Sequence, residues 1–111
     1  MTSACRIVIV GGGVWITRLV PLLARLEISE RLEIVLTARH IERLQTISDY
    51  CATLVADRPS IQFRCAPLKA ALRNAQICVL MLRVGGSAAR DIDERFPEKF
   101  GLAGDEGLGL G

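Results

Sequence analysis

Three consecutive glycines, Gly11, Gly12 and Gly13, follow the apolar run Arg6–Val10 and precede a segment with helical spacing. A nucleotide pyrophosphate needs that arrangement. Backbone N–H groups must point at the phosphates, and a side chain on the turn would block their approach. The N-terminus of the following helix adds a partial positive charge. Written as a fingerprint, the segment is Gly11-x-Gly13-x-x-Ile16. It lacks the third glycine of the general dinucleotide pattern, so a tight turn that binds nothing is the competing reading. A second chemical signal is Thr37-Ala38-Arg39-His40, at the end of the next apolar run. An Asp or Glu there would hold the adenosine ribose hydroxyls, whereas a nearby Arg accommodates a 2′-phosphate. No acid stands in this stretch. Arg39 therefore either favours NADP over NAD or is a solvated residue at a helix start, and the residues leave both open.

Other chemistries find less support. The four cysteines are Cys5, Cys51, Cys65 and Cys78; none forms a C-x-x-C pair, and His40 is the single histidine, so no zinc site is expected. In or beside strands, reduced Cys acts as a small hydrophobe. The net charge is +2, from 14 basic and 12 acidic residues, and no basic stripe interleaves with aromatics, so a nucleic-acid partner is not expected. The longest apolar runs, Ile7–Val10 and Ile77–Leu82, fall far short of the roughly 20 residues that span a bilayer. The start lacks the layout of a secretory signal, and the expectation is a cytoplasmic protein without a membrane partner.

The elements that must position these residues alternate. Arg6–Val10 reads as a buried parallel strand and Val14–Leu26 as a helix, with Pro21 expected to kink or weaken it. Leu32–Thr37 is the second strand and Ile41–Val55 the second helix, with Ile41, Leu44, Ile47, Cys51, Leu54 and Val55 on one face. Ile61–Cys65 is a third, short strand. Pro67 opens a short helix through Asn74, and Ile77–Leu82 is the fourth strand. Ser87 is the expected cap of a last helix, from Ala88 to about Glu94, with Ala89, Ile92 and Phe96 inward and Pro97 ending it. The tail Gly101–Gly111 has five glycines in eleven residues and no periodicity. The fold class is α/β, one Rossmann-type domain over residues 1–111, with a parallel sheet in the order 3-2-1-4 and flanking helices. An apolar fourth strand at the sheet's edge implies an incomplete sheet: either further strands lie on residues absent here, the preferred reading, or another copy covers it as a homo-oligomer.

Beyond the fourth strand the chain runs from Leu82 through Arg83, Val84, Gly85, Gly86, Arg90, Asp93, Glu94, Pro97 and Lys99 to Phe100 and Gly101. This order is similar to the R-V-G-G…R…D-E-x-x-P-x-K-(Y/F)-G stretch of family-4 glycoside hydrolases, which include 6-phospho-β-glucosidases, 6-phospho-α-glucosidases, α-glucosidases and α-galactosidases. The start also resembles that family's I-x-I-x-G-G-G-S-x-x-T-P run, with Gly11, Gly12, Gly13 and Thr17 in place. The resemblance covers nearly the whole chain but only the amino-terminal portion of a typical member. Departures are Val14 for Ser, Arg18 for Pro, Ala38 for the acid after strand two, Asp105 for Gln and Leu110 for Pro; Glu106, Gly109 and Gly111 match.

The resemblance implies a glycosidase that departs from the usual pair of carboxylates. In the family, NAD takes a hydride from C3 of the sugar, the C2 proton becomes acidic, and the glycosidic oxygen leaves by elimination before water adds and the hydride returns. A divalent metal, usually Mn, polarises the sugar oxygens. The substrate would be a sugar or sugar phosphate. By the same resemblance Gly11, Gly12, Gly13, Arg83, Val84 and Gly85 are candidate cofactor residues and Arg90 is the candidate substrate residue; Val14, next to the glycine turn, and Arg39, from the end of the second strand, complete the candidate cofactor set. The planar fork of Arg90 suits two oxygens at once, although a pair with Glu94 one turn on is its bland alternative. Trp15 either packs on the first helix or covers the cofactor. The family's metal-binding Cys and His and its catalytic Tyr lie downstream, and neither Tyr50 nor the cysteines and His40 match them, so no catalytic or metal residue is assigned. A non-catalytic NAD(P)-binding or interaction module is the alternative.

Overall fold

The computed structural model describes residues 4–82 and 85–104. Two of the candidate residues, Arg83 and Val84, lie outside the described residues, as do Asp105, Glu106, Gly109, Leu110 and Gly111.

Four strands, β1 (Cys5–Gly11), β2 (Leu32–Thr37), β3 (Ile61–Cys65) and β4 (Ile77–Met81), form one parallel sheet in the order β3-β2-β1-β4. The helices are α1 (Ile16–Arg25), α2 (Ile41–Leu54), α3 (Leu68–Leu72) and α4 (Gly86–Arg95), with 3-10 turns at Gly13–Trp15 and Phe96–Phe100. The side-chain period of two sorts each strand onto two faces. Ile7 and Ile9 of β1 align with Ile34 and Leu36 of β2, and Ile34 aligns with Phe63 of β3. These residues form the larger core with Ile16 and Val20 of α1 and Leu44, Ile47 and Cys51 of α2. Val8 and Val35 point the other way, where Ala71 of α3 covers them. The division follows from connection hand. The links through α1 and α2 step one way along the sheet and the link through α3 steps back, so right-handed crossovers put them on opposite faces.

Local physics sets the helix ends. Pro21 lies inside α1 without ending it, on the exposed side. At the far end the Arg58 guanidinium donates to the carbonyls of Ala24 and, at 2.8 Å, Leu26, placing a cation where the helix dipole is negative. Near the amino ends of the strands Arg6 bonds Glu33 at 3.0 Å and the Arg73 carbonyl beyond α3 at 2.7 Å, and Arg64 takes the second Glu33 oxygen at 2.9 Å. α3 stops short of the expected Asn74 because Arg73 is extended and Asn74 sits at φ 59°, a conformation Asn tolerates.

Two expectations need correction. Ser87 does not cap the last helix: α4 begins at Gly86 and its N-cap is Gly85, left-handed at φ 82°. A pair of glycines lets the chain turn into helix earlier than a serine cap would. Nor are the intended inward residues buried. Ile92 is 67% exposed and Phe96 42% exposed, the latter packing edge-on against Phe100 at 5.4 Å. Among the described elements α4 packs chiefly on the turn that follows it. On β4, Leu80 is 68% exposed. β4 is thus an apolar edge strand with one face uncovered by described residues.

Candidate functional site

The site is built at the carboxyl ends of β1 and β2. Gly11, Gly12 and Gly13 all have positive φ, at 84°, 87° and 49°. The three glycines are required for different reasons. A Cβ on Gly11 would sit 2.5 Å from the Met81 carbonyl oxygen, because Gly11 is the last residue of β1 paired with β4. A Cβ on Gly12 would press on Ile16 at 3.1 Å and on the Met81 sulfur at 3.2 Å. Gly12 also donates its N–H to the Met81 carbonyl at 2.9 Å, which ties the turn to β4. Around Gly13 a Cβ would meet nothing within 4 Å. Gly11 and Gly12 are therefore glycines for the protein's own packing, and Gly13 is the one that faces open space.

The chain then tightens into the 3-10 turn Gly13–Trp15 before α1. Trp15 N–H bonds the Gly12 carbonyl at 3.0 Å, and Ile16 N–H reaches the carbonyls of Gly13 and Val14. Among the described residues the N–H groups of Gly13 and Val14 have no backbone acceptor. They are the unpaired donors every helix start leaves, next to the one glycine with room above it. Ile16 stands where the general pattern has its third glycine, and it is fully buried between helix and sheet. Thr17 turns its hydroxyl back to donate to the Val14 carbonyl at 2.7 Å. Trp15 is 58% exposed, with the Arg18 guanidinium 4.5 Å from its ring centre; its packing partner is α1 rather than the core.

A groove of about 200 Å³ runs from this turn to the end of β2. Gly11 and Gly13 form one wall, Ala38, Arg39, His40 and Arg43 the other, and Leu44 and Ile47 of α2 lie beneath. Glu42 lies on an adjoining depression shared with Arg39, His40 and Ile41. The structure thus brings Gly11, Gly13 and Arg39 to one groove. Arg43 and His40 were not singled out from sequence as binding residues; Arg39 and His40 precede α2 and Arg43 lies in its first turn, so no helical period links Arg39 to Arg43.

The remaining candidates lie on the segment after β4. Gly11 pairs with Met81, so that segment leaves the sheet beside the glycine turn, in the crevice where the strand order reverses. Gly85 is glycine for a local reason as well, since a Cβ there would stand 2.5 Å from that of Ala89. Arg90 makes the pair with Glu94, Nε to Oε1 at 2.7 Å. Two of the thiols are held protonated by burial. Cys51 is fully buried and its pKa is pushed up to about 11 by that burial, and burial also raises Cys65, against a lowering hydrogen bond with Ser48. Cys78 is exposed rather than packed, on the uncovered side of β4. Among the described residues no three His, Cys, Asp or Glu side chains cluster to hold a metal, and no helix is long and apolar enough to cross a membrane.

Comparison with known proteins converges on one group. Residues 6–111 match the family described as family 4 glycosyl hydrolase. Over 72 residues the chain is 35% identical to 6-phospho-alpha-glucosidase 1 of Lacticaseibacillus paracasei, which is 63% of this chain and 16% of that protein. The 6-phospho-beta glucosidase of Thermotoga maritima, solved with NAD and glucose-6-phosphate, superposes with a TM-score of 0.76 at 27% identity, covering 97% of this chain and 26% of that one. A 6-phospho-alpha-glucosidase from gut microorganisms, solved with NAD and Mn2+, gives a TM-score of 0.72 at 25% identity, again over 97% and 26%. The chain spans about a quarter of the length of these solved relatives.

Proposed function

The chain belongs to family 4 of the glycosyl hydrolases, and from that premise we propose that it is the dinucleotide-binding portion of a glycosidase that uses a nicotinamide dinucleotide and acts on glucosides or 6-phosphoglucosides. The observation that carries this reading is Gly13: a positive-φ glycine with open space where its Cβ would be, at a helix start whose Gly13 and Val14 N–H groups lack backbone acceptors. Those features fit a pyrophosphate. The two amides would donate to its oxygens, Gly11 and Gly12 would hold the turn against β4, and the α1 dipole would favour its charge. Arg39 would face the adenosine ribose. By the family resemblance Arg83, Val84 and Gly85 would serve the nicotinamide end of the cofactor.

When bound, the nicotinamide dinucleotide would supply reversible hydride acceptance from C3 of the sugar, the oxidation that lets the glycosidic oxygen leave by elimination. The chain's own part is to bind and orient. Arg90 would take sugar or phosphate oxygens in place of, or together with, its Glu94 partner. A manganese ion does not fit the described residues, which gather no set of ligands. Acid–base and metal groups would then be supplied by sequence that the relatives have beyond this portion. A second reading, a non-catalytic NAD(P)-binding or interaction module, draws on the exposed apolar side chains of Leu80, Ile92 and Phe100.

Calorimetric titration of the folded chain with NAD+ and NADP+ tests the binding claim. Micromolar binding of either supports it, and a Gly13→Val variant should lose that binding while keeping its fold. A well-folded chain that binds neither would sink it. The glycosidase claim is tested by exchanging residues 6–104 into a 6-phospho-glucosidase of the family. Retained hydrolysis supports it, and a folded but inactive chimera favours the module.

A further inference from the structure

Resting on the dinucleotide reading above, we propose that the adenosine end of the groove is built for a 2′-phosphate, so that this chain takes NADP in preference to NAD. Three observations combine. The carboxylate that would grip a free 2′-hydroxyl is missing: β2 ends at a buried Thr37 and is followed by Ala38, whose small side chain lines the groove. In its place the groove wall carries Arg39, His40 and Arg43 together. Among the described residues neither Arg39 nor Arg43 makes an ion pair or a side-chain hydrogen bond, so both guanidinium groups are free to take phosphate oxygens. Elsewhere in the fold Arg6, Arg58, Arg64 and Arg95 are engaged with carboxylates or helix-end carbonyls.

The chemistry distinguishes the two cofactors. A 2′-phosphate presents oxygens that two planar guanidinium forks can pair at close range. A free ribose hydroxyl would leave those two cations facing a neutral group. Glu42, the acid on the adjoining depression, is outnumbered there by the basic side chains of the groove. The preference therefore depends on Arg39 and Arg43 acting on one phosphate.

The test is calorimetric titration of the full 111-residue chain with NADP+ and with NAD+, each at low and high salt. NADP+ should bind at least about tenfold more tightly, equivalent to about 1.4 kcal/mol, and the advantage should shrink as salt rises. Arg39→Ala and Arg43→Ala should each lower the NADP+ to NAD+ affinity ratio severalfold; both residues are exposed, so the fold should survive. Ala38→Asp should reverse the preference. Equal affinities, tighter NAD+ binding, or a ratio unmoved by both arginine variants overturns the 2′-phosphate proposal and leaves the dinucleotide reading standing. A folded chain that binds neither overturns both.

Discussion

Replacing Gly11 by Ala would set a Cβ 2.5 Å from the Met81 carbonyl oxygen in a backbone held at φ 84°. Neither partner can step aside cheaply, because both atoms belong to the main chain of paired strands. The left-handed conformation costs an L-residue about 1–2 kcal/mol. Relieving the overlap means spreading β1 from β4, which weakens the bond from Gly12 N–H to the Met81 carbonyl, worth about 1 kcal/mol. A total of about 2–3 kcal/mol follows, to be read as a fall in the urea midpoint at unchanged slope. For a domain of this size it corresponds to a drop in melting temperature of roughly 10–25 °C. Gly13→Ala is the control. It bears conformational strain of about 1 kcal/mol and meets no atom within 4 Å, so it should melt much closer to the parent chain. Its methyl group projects into the groove, and its nucleotide binding should fall. Equal destabilisation by the two substitutions, or a Gly11→Ala variant within about 1 kcal/mol of the parent, would refute the division of labour between these glycines.

Other consequences can be measured on the same chain. Arg58→Ala removes the cation over the last carbonyls of α1 and should cost about 1–3 kcal/mol in urea unfolding, with Lys restoring only part of it. The Cys51 thiol ionises near 9.0 when unfolded and near 11 when buried, so the unfolded chain loses its proton first. Its contribution to stability should be complete below pH 9.0 and should decline as pH rises towards about 11; a Cys51→Ala variant should show a shallower decline. Leu80 is 68% exposed on an edge strand, so the chain should self-associate as concentration rises in sedimentation velocity. Leu80→Lys should reduce that association, and identical profiles would mean the face is not adhesive.

Much of the fold was legible because few alternatives suited the pattern. Short β-branched runs such as Ile7–Val10 and Ile34–Leu36, separated by helical segments, leave little but right-handed crossovers and a parallel sheet in the order 3-2-1-4, as found. Periodicity also located the buried stripe of α2 at Leu44, Ile47, Cys51 and Val55. It erred for Ile41 and Leu54, which are 42% and 38% exposed, because period locates a face and not its edges. The same limit explains α4. Ile92 and Phe96 mark an apolar face, but spacing cannot say what covers it, and the described residues do not. The start of α4 was misplaced because a serine outranks glycine as a cap in isolation, while Gly85 and Gly86 offered a left-handed entry.

In the site, the glycine run pointed to a phosphate turn, but its three members looked alike. Only the sheet register, which sets Gly11 against Met81, separates the glycines needed for packing from the one facing the groove. Arg43 and His40 joined Arg39 only once α2 was seen to start beside that groove.

The measurement closest to the central claim is the amide NMR spectrum of the chain titrated with ADP-ribose, which carries the pyrophosphate without the nicotinamide. The Gly13 and Val14 amide resonances should move first and furthest, as N–H groups without backbone acceptors become phosphate donors, while those of β3 and α3 should stay fixed. A well-dispersed spectrum in which Gly13 and Val14 do not move at saturating ligand would contradict it.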